Sequence, residues 1–197
     1  MKHIILFALG LFITLNVSAQ DIQLPQPQKT GGMPLMEALN KRSSSRNFKA
    51  DELDNQTLSN LLWAAWGYNR NDKRTAPSSQ NKQEMDLYVV MKKGAYLYDA
   101  KNNKLVQVSS QDLRKETGSQ DFVAIAPVNV VFVANKDKGG APKTDSGFIS
   151  QNIYLFCASE GLGTVVRGWF EAETVSKALK LKANQEVVLT QTVGKLK

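Results

Sequence analysis

Two arginines and three serines stand together in the segment Arg42-Ser43-Ser44-Ser45-Arg46, called the 42–46 segment below. Guanidinium groups offer planar forks of donors that match phosphate oxygens, and serine hydroxyls and backbone N–H groups can fill the remaining acceptor sites. The segment therefore predicts an anion site with a phosphate as the fitting ligand. A solvated linker is the alternative interpretation, since serine and arginine are common on protein surfaces.

The first 19 residues have the pattern of a secretory signal. A basic start precedes an apolar run over residues 4–15, and small residues at Val17 and Ala19 fit cleavage before Gln20. The run is shorter than the roughly 20 residues that a membrane-spanning helix needs. We expect residues 1–19 to be removed and the mature chain to be periplasmic or secreted, with no stable membrane span. A buried N-terminal helix or a retained anchor is the alternative.

Composition excludes several kinds of active site. Removal of 19 residues leaves 178 of 197, enough for one domain, and lowers the formal net charge from +7 to +6. The lysines are scattered without an aromatic-interleaved basic stripe, so we expect no nucleic-acid partner. Cys157 is the only cysteine, and the only histidine, His3, leaves with the signal. The mature chain therefore has no intrachain disulfide, Ser-His-Asp triad or Cys-His dyad, and we expect no metal site.

Helical spacing marks the first elements of the domain. Residues 20–32 form a polar leader rich in proline and glycine, which we expect to be extended and loosely ordered. The domain, residues 33–197, opens with a short helix that ends near Lys41. A second helix follows a cap at Asp54 or Asn55. It carries the apolar stripe Leu58, Leu61, Leu62, Ala65 and Trp66.

A polar loop over residues 69–82 leads into the segments with strand character. The predicted strands cover residues 87–91, 95–98, 104–108, 128–133 and 186–193, with a hairpin turn at 102–103 and the β-branched run 128–133 at the centre of the sheet. Ser110 caps a brief helix that Gly118 can end. Strands and helices neither alternate strictly nor separate into halves, so an α+β fold is the economical assignment.

The longest predicted helix covers residues 144–160 and has apolar side chains nearly all round. Such a helix should be buried on more than one side, in the middle of the fold or in a subunit interface. A glycine-rich segment with a strand-like middle, residues 161–168, follows it, and then a helix with Val175, Ala178 and Leu179.

Three segments together resemble the flavin-binding nitroreductase family. They are the 42–46 segment, the loop Ser78-Ser79-Gln80-Asn81-Lys82-Gln83, and Gly161-Leu162-Gly163 with the residues up to Gly168. They occur in the family's order over essentially the whole domain, and each alone is a weak motif. The resemblance implies an α+β fold with a central, mainly antiparallel sheet flanked by helices. It also implies an intertwined homodimer in which the long helices pack together and FMN lies at the interface.

The resemblance also implies a cofactor-binding role for individual residues. Arg42, Ser43, Ser44 and Arg46 would hold the FMN phosphate and ribityl chain, and Ser45 would contribute through its backbone. Asn81 would face the pyrimidine edge of the flavin, where a carboxamide can donate and accept at once; a turn-capping Asn is the alternative.

Two further positions carry over from the family. Gly168 would let a backbone N–H approach flavin N5, and Arg167 beside it would stabilise the anionic reduced ring, unless it is a solvated arginine at a strand end. Lys195, with Lys197, has the spacing of basic residues that touch the phosphate in the family; a frayed basic terminus is the alternative.

By resemblance, the protein is an FMN-dependent oxidoreductase in which the flavin, and no side chain, carries the chemistry. Two electrons would pass by a ping-pong route from a reduced donor, commonly NAD(P)H, through N5 to a nitroaromatic, quinone or similar acceptor. Export would place the protein away from cytoplasmic reduced nicotinamide, so the donor could be a different redox partner. The alternatives are a flavin-binding or sensing member without turnover, and a basic interaction module with no cofactor.

Overall fold

The computed structural model describes residues 20–197. The predicted signal, residues 1–19, lies outside the described residues. In chain order the strands and helices are β1 (Ile22–Gln23), α1 (Leu35–Lys41), α2 (Asn55–Trp66), β2 (Tyr68–Arg70), β3 (Lys73–Arg74), β4 (Met85–Met91), β5 (Gly94–Asp99), β6 (Lys104–Ser109), α3 (Phe122–Ile125), β7 (Val128–Asn135), α4 (Pro142–Ser159), β8 (Leu162–Arg167), α5 (Ala172–Ala178) and β9 (Gln185–Lys195).

Seven of the strands form one antiparallel sheet in the order β1-β6-β5-β4-β7-β9-β8. The β-branched strand β7 lies between β4 and β9, with Val130 opposite Val89 on one side and Gln191 on the other. This confirms the central strand, the hairpin of β5 and β6, and the α+β fold with a mainly antiparallel sheet flanked by helices.

Alternation along the strands divides the core into two layers. On one face, Val89, Val130 and Phe132 pack with apolar residues of α2 and α4. On the other face, Val90 and Val131 pack with Val175 and Leu179 of the α5 region. Because the sheet is buried on both sides, the central strands β4 and β7 carry apolar residues on both faces rather than alternating.

The second helix begins and packs as its sequence predicts. The Asp54 carboxylate accepts a hydrogen bond from the Thr57 N–H at 2.8 Å, which caps α2. The whole apolar stripe of α2 is buried, and the indole N–H of Trp66 donates to the Met85 carbonyl at 2.8 Å.

The leader is extended, but the prediction that it is loosely ordered is wrong. β1 pairs with β6 at the edge of the sheet, and Leu24 is buried in the core. The Ser59 hydroxyl donates to the Pro25 carbonyl at 2.6 Å, so the leader is also held against α2. Pro25 and Pro27 follow β1, where no sheet hydrogen bond requires their missing N–H groups.

Two short regions, which lie between the longer helices and strands, differ from the prediction. The predicted loop 69–82 contains the two-stranded ribbon β2–β3. A helix beginning at Ser110 is also wrong: a 3₁₀ turn at Lys115–Thr117 ends at Gly118, and α3 follows. Elements this short carry too few residues for a periodic signal.

Helix α4 is buried on one side only within the chain. Ile149, Ile153 and Cys157 are buried against the sheet and α2, whereas Phe148 is 44% exposed. The second buried side that its composition predicts is therefore not supplied by this chain. Among residues 20–197, no helix is long and apolar enough to cross a membrane.

Candidate functional site

The 42–46 segment leaves the end of α1 and runs along the free edge of β8. The Ser45 N–H donates to the Thr164 carbonyl at 2.9 Å, which satisfies an edge group of β8. The Arg42 guanidinium lies over the Tyr154 ring of α4, 5.4 Å from its centroid. Two neighbouring elements therefore hold the segment in place while Ser43, Ser44 and Arg46 remain exposed.

Tyr154 joins the segment to the strand. Its hydroxyl oxygen accepts the Val166 N–H at 3.0 Å and lies 2.8 Å from Ser44 Oγ. Since the phenol has one proton, directing it at Ser44 leaves the Ser44 hydroxyl hydrogen free for a ligand. Tyr154 itself is only 7% exposed, so its position is fixed by packing.

The C-terminal residues return to the same place. The Lys49 N–H donates to the Lys195 carbonyl at 2.9 Å, and the Lys197 N–H donates to the Asn47 carbonyl at 3.1 Å. Gly163 permits this approach, because a Cβ there would overlap the Leu196 side chain. The structure thus brings the Lys195 backbone beside the residues that follow Arg46.

The donor set fits a phosphate. Arg46, Lys49, Lys195 and Lys197 are exposed, and the salt bridges found among the described residues involve none of them. Free serine hydroxyls and uncompensated cations beside an ordered backbone suit an anion with several oxygen acceptors.

The loop that contains Asn81 is strained. Gln80, Asn81 and Gln83 all have positive φ, at 51°, 56° and 47°, although none is glycine. Such conformations cluster at ligand-binding sites, where surrounding contacts maintain them. Here the Ser79 N–H donates to an Asp145 carboxylate oxygen at 2.8 Å, and the Gln83 N–H donates to Ser78 Oγ at 3.0 Å.

Asn81 and the 42–46 segment lie at different places along α4. The Asn81 loop is held at Asp145, near the start of α4, whereas the 42–46 segment is held at Tyr154. Nine residues of helix separate the two contacts, which is about 13 Å along the axis. The chain therefore presents two sets of exposed polar groups at a fixed separation.

A buried carboxyl group lies under the Asn81 loop. Glu84 is fully buried, and its carboxyl group lies near the Asp145 carboxyl and the Ala141 backbone. Burial raises the pKa of Glu84, and the nearby Asp145 carboxyl raises it further. Gly140 covers the group closely, since a Cβ there would come within 2.6 Å of the Glu84 carboxyl carbon.

Arg167 is buried rather than solvated. Its side chain is 5% exposed and lies on the α5 face of the sheet, so the alternative of a solvated arginine at a strand end is wrong. It donates to the Thr117 carbonyl at 2.8 Å and to Asn129 Oδ1 at 3.1 Å. Burial lowers the pKa of Arg167 to about 10, which still leaves it charged near neutral pH. Its role here is to hold β8 to the segment before α3.

Gly168 is exposed at the end of β8, where the sequence predicts a close backbone approach. Trp169 beside it is 70% exposed. Trp169 and Gly118 help to line a cavity of about 320 Å³. The backbone at Gly168 is therefore accessible to a ligand.

Comparison with known proteins decides the family. The model of the nitroreductase family matches residues 39–195, a range that includes every segment of the site. The chain belongs to the nitroreductase family. A nitroreductase-like protein of Methanocaldococcus jannaschii is 29% identical in an alignment of 182 residues, and the match covers 82% of this chain and 90% of that relative.

Solved structures agree with this assignment. The crystal structure of a nitroreductase-like protein from Ralstonia eutropha JMP134 is 40% identical, with a TM-score of 0.84, and the match covers 93% of this chain and 92% of that one. An FMN-dependent nitroreductase from Clostridium difficile R20291 shares the fold at 22% identity and a TM-score of 0.63, over 82% and 87% of the two chains. Membership of the nitroreductase family supports an oxidoreductase activity of the flavin-dependent kind.

Several residues that build this nitroreductase site could not be identified from the sequence alone. Tyr154 and Asp145 both lie on α4, and each contacts a loop whose position in space no local pattern reveals. Glu84 follows directly after the motif that ends at Gln83, yet its burial depends on Gly140, which is distant in sequence. Asp145 itself gives no distinctive signal, because it lies in the first turn of α4, where acidic residues are common.

The raised pKa of Glu84 predicts a pH-dependent stability. The folded chain binds the Glu84 proton more tightly than the unfolded chain, so wild-type stability should fall as pH rises above the ordinary value of 4.5. Glu84→Gln lacks this titration. The free energy of unfolding of the variant, relative to that of the wild type, should therefore increase as the pH rises above 4.5, measured by urea unfolding at a series of pH values.

Glu37→Gln, at an exposed glutamate of α1, is the matched control and should show no such trend. Parallel stability curves for Glu84→Gln and the wild type would contradict the assignment of a raised Glu84 pKa.

Proposed function

We propose that this nitroreductase-family chain is an FMN-dependent oxidoreductase that passes two electrons by a ping-pong route from a reduced donor to a nitroaromatic, quinone or similar acceptor. The donor is commonly NAD(P)H in the family. The observation that carries the proposal is the 42–46 segment, whose Ser43, Ser44 and Arg46 are exposed while Thr164 holds its backbone and Tyr154 contacts the Ser44 hydroxyl. No other segment of the described chain combines two arginines with free hydroxyls in this way.

The bound FMN would accept and release hydride or electrons at its N5 position. The chain's own residues would bind and orient it. Arg42 and Arg46, with Ser43 and Ser44, would neutralise and hydrogen-bond the phosphate, and the Lys195 end would add positive charge. Asn81 would contact the polar edge of the ring, and the exposed backbone at Gly168 would allow close approach.

Loss of the segment's arginines should weaken FMN binding. Arg42→Ala and Arg46→Ala should each lower the affinity about tenfold or more, since hydrogen bonds to charged groups contribute about 1.5–3 kcal/mol. Fluorescence titration of FMN measures the effect. Lys92→Ala removes one exposed charge from the β4–β5 turn and should leave the affinity unchanged.

Turnover is tested separately with the FMN-loaded wild-type protein. Anaerobic mixing with NADH, NADPH and alternative reductants should bleach the flavin absorbance, and a quinone or nitroaromatic should restore it. Bleaching by none of the reductants would favour a flavin-binding member without turnover. A wild-type protein that takes up no FMN would refute the flavin proposal altogether.

We also propose that the working unit is a homodimer that buries the outer side of α4. Phe148 on α4 and Leu35, Met36 and Leu39 on the adjoining α1 are large apolar side chains that are 43–75% exposed. Exposed apolar groups on two packed helices are typical of a subunit interface. Such a dimer could bring the Asn81 loop of one subunit near the 42–46 segment of the other.

Phe148→Asp should convert the dimer to a monomer, because the interface would have to bury a carboxylate without a partner. Sedimentation equilibrium at micromolar concentration measures the change. Phe148→Leu keeps an apolar side chain and should remain dimeric. A wild-type protein that is monomeric under these conditions would contradict the proposed interface.

We further propose export to the periplasm or the medium, supported by the order of basic, apolar and small residues in 1–19. Cell fractionation with N-terminal sequencing of the native protein tests this. The mature chain should begin at Gln20 outside the cytoplasm, and a cytoplasmic protein that still begins at Met1 would refute the proposal.

A further inference from the structure

Arg74 on β3 is held between two aromatic rings beside the Asn81 loop. Its guanidinium lies 4.0 Å from the Tyr68 ring centroid and 4.9 Å from that of Trp66. It also donates to the Trp66 carbonyl at 2.9 Å. Stacking and a hydrogen bond to the end of a buried helix leave the group little freedom to turn.

The fixed guanidinium determines which way the next side chain faces. Arg74 Nε donates to Gln83 Oε1 at 2.9 Å. An arginine has donors and no acceptor, so the amide of Gln83 must present its oxygen to Arg74 and its nitrogen to the other side. That nitrogen donates to the Asp72 carbonyl at 2.6 Å and to Asn81 Oδ1 at 3.0 Å.

Gln83 determines the orientation of Asn81 in the same way. Because Gln83 offers it a donor, Asn81 turns its oxygen inward and its nitrogen outward. The outward nitrogen has only a 3.5 Å contact to the Asp72 carbonyl among the described residues, and Asn81 is exposed. One strong donor therefore remains free at the surface of the loop.

We propose that Arg74 is a positioning residue that, through Gln83, fixes Asn81 as a hydrogen-bond donor toward a ligand acceptor atom. This inference rests on the proposed function, in which the acceptor is a carbonyl oxygen of the FMN pyrimidine edge. A carboxamide free to rotate could meet either a donor or an acceptor on that edge. The Arg74–Gln83–Asn81 network, defined by these three residues, allows only the orientation in which Asn81 donates.

The network should also affect the midpoint potential of bound FMN. Reduction increases the negative charge on the flavin ring, and a donor held at the pyrimidine edge interacts more strongly with the more negative form. The free Asn81 donor should therefore raise the midpoint potential of bound FMN. Reversing the side chain would present an oxygen and lower that potential.

Gln83→Glu is the sharpest probe, because it keeps an acceptor for Arg74 and reverses the polarity toward Asn81. A carboxylate oxygen would face Asn81, so Asn81 would turn its nitrogen inward and its oxygen outward. We expect FMN affinity to fall about tenfold, a size typical of residues coupled in one hydrogen-bond network, and the midpoint potential to drop. In the FMN-free protein the carboxylate gains an ion pair with Arg74 and loses the hydrogen bond to the Asp72 carbonyl, so the thermal midpoint should change little.

Arg74→Gln removes the anchor of the network, and Arg70→Gln on the same ribbon is the matched control. Arg70 is exposed and contacts only the neighbouring Asn69 side chain among the described groups. Arg74→Gln should lower the FMN affinity and the potential, whereas Arg70→Gln should change neither. Both measurements use the FMN-loaded full-length chain.

Asn81→Gly tests whether the effect passes through Asn81. Glycine tolerates the positive φ at this position, so the backbone should keep its shape. In this background, Arg74→Gln and Gln83→Glu should cause no further change in affinity or potential. Additive losses would overturn the proposal, since they would show that Arg74 acts on FMN by another route.

Hydrogen–deuterium exchange of the FMN-free protein separates this proposal from the proposed function. Exchange in peptides covering residues 78–84 should be faster in Arg74→Gln than in the wild type and unchanged in Arg70→Gln. Equal exchange in all three proteins would overturn the network. A wild type that binds no FMN but shows the expected exchange would refute the cofactor, while the orientation of Asn81 would stand.

Discussion

The packing of α4 against the sheet sets the geometry on which the rest of the site depends. Its buried residues lie in the largest core cluster, so the helix cannot slide without opening that core. Asp145 and Tyr154 project polar groups from this fixed helix to two separate loops. The distance between the Asn81 loop and the 42–46 segment is therefore a property of the core rather than of the loops.

Local conformations that are unfavourable by themselves persist because of that support. Left-handed backbone at Gln80, Asn81 and Gln83 costs about 1–3 kcal/mol for each residue where the environment does not favour it. Hydrogen bonds from the loop's backbone to Asp145 and Ser78, and those within the Arg74–Gln83–Asn81 network, offset this cost. The strained conformation of the loop therefore depends on the well-packed helix α4.

The two sides of the sheet accommodate a buried ionisable group in different ways. Arg167 keeps its charge because the Thr117 carbonyl and Asn129 accept its hydrogen bonds. Burial and the neighbouring Asp145 carboxyl raise the pKa of Glu84, which favours its neutral form. A donor-only group can lie deep in the protein beside carbonyl groups, whereas a buried carboxylate beside a second carboxyl group is disfavoured in its charged form.

The sequence alone determined the features that depend on neighbours in the chain. The cap at Asp54, the stripe of α2, the β-branched run of β7 and the order of the three motifs all follow from local spacing. These features were enough to predict an α+β fold, the family resemblance and the basic character of the 42–46 segment. Local patterns succeed here because capping, periodicity and strand preference act over a few residues.

Only the tertiary structure decided which way individual side chains face. Arg167 is the last residue of β8, where an arginine is commonly solvated, yet the register of β8 with β9 turns it to the interior. Leader residues that look like a loose polar tail are held by β6 and α2. The orientation of Asn81 depends on Arg74, whose own position depends on rings at Trp66 and Tyr68. These outcomes rest on contacts between residues distant in sequence, and a one-residue change in strand register would reverse the face of each strand side chain.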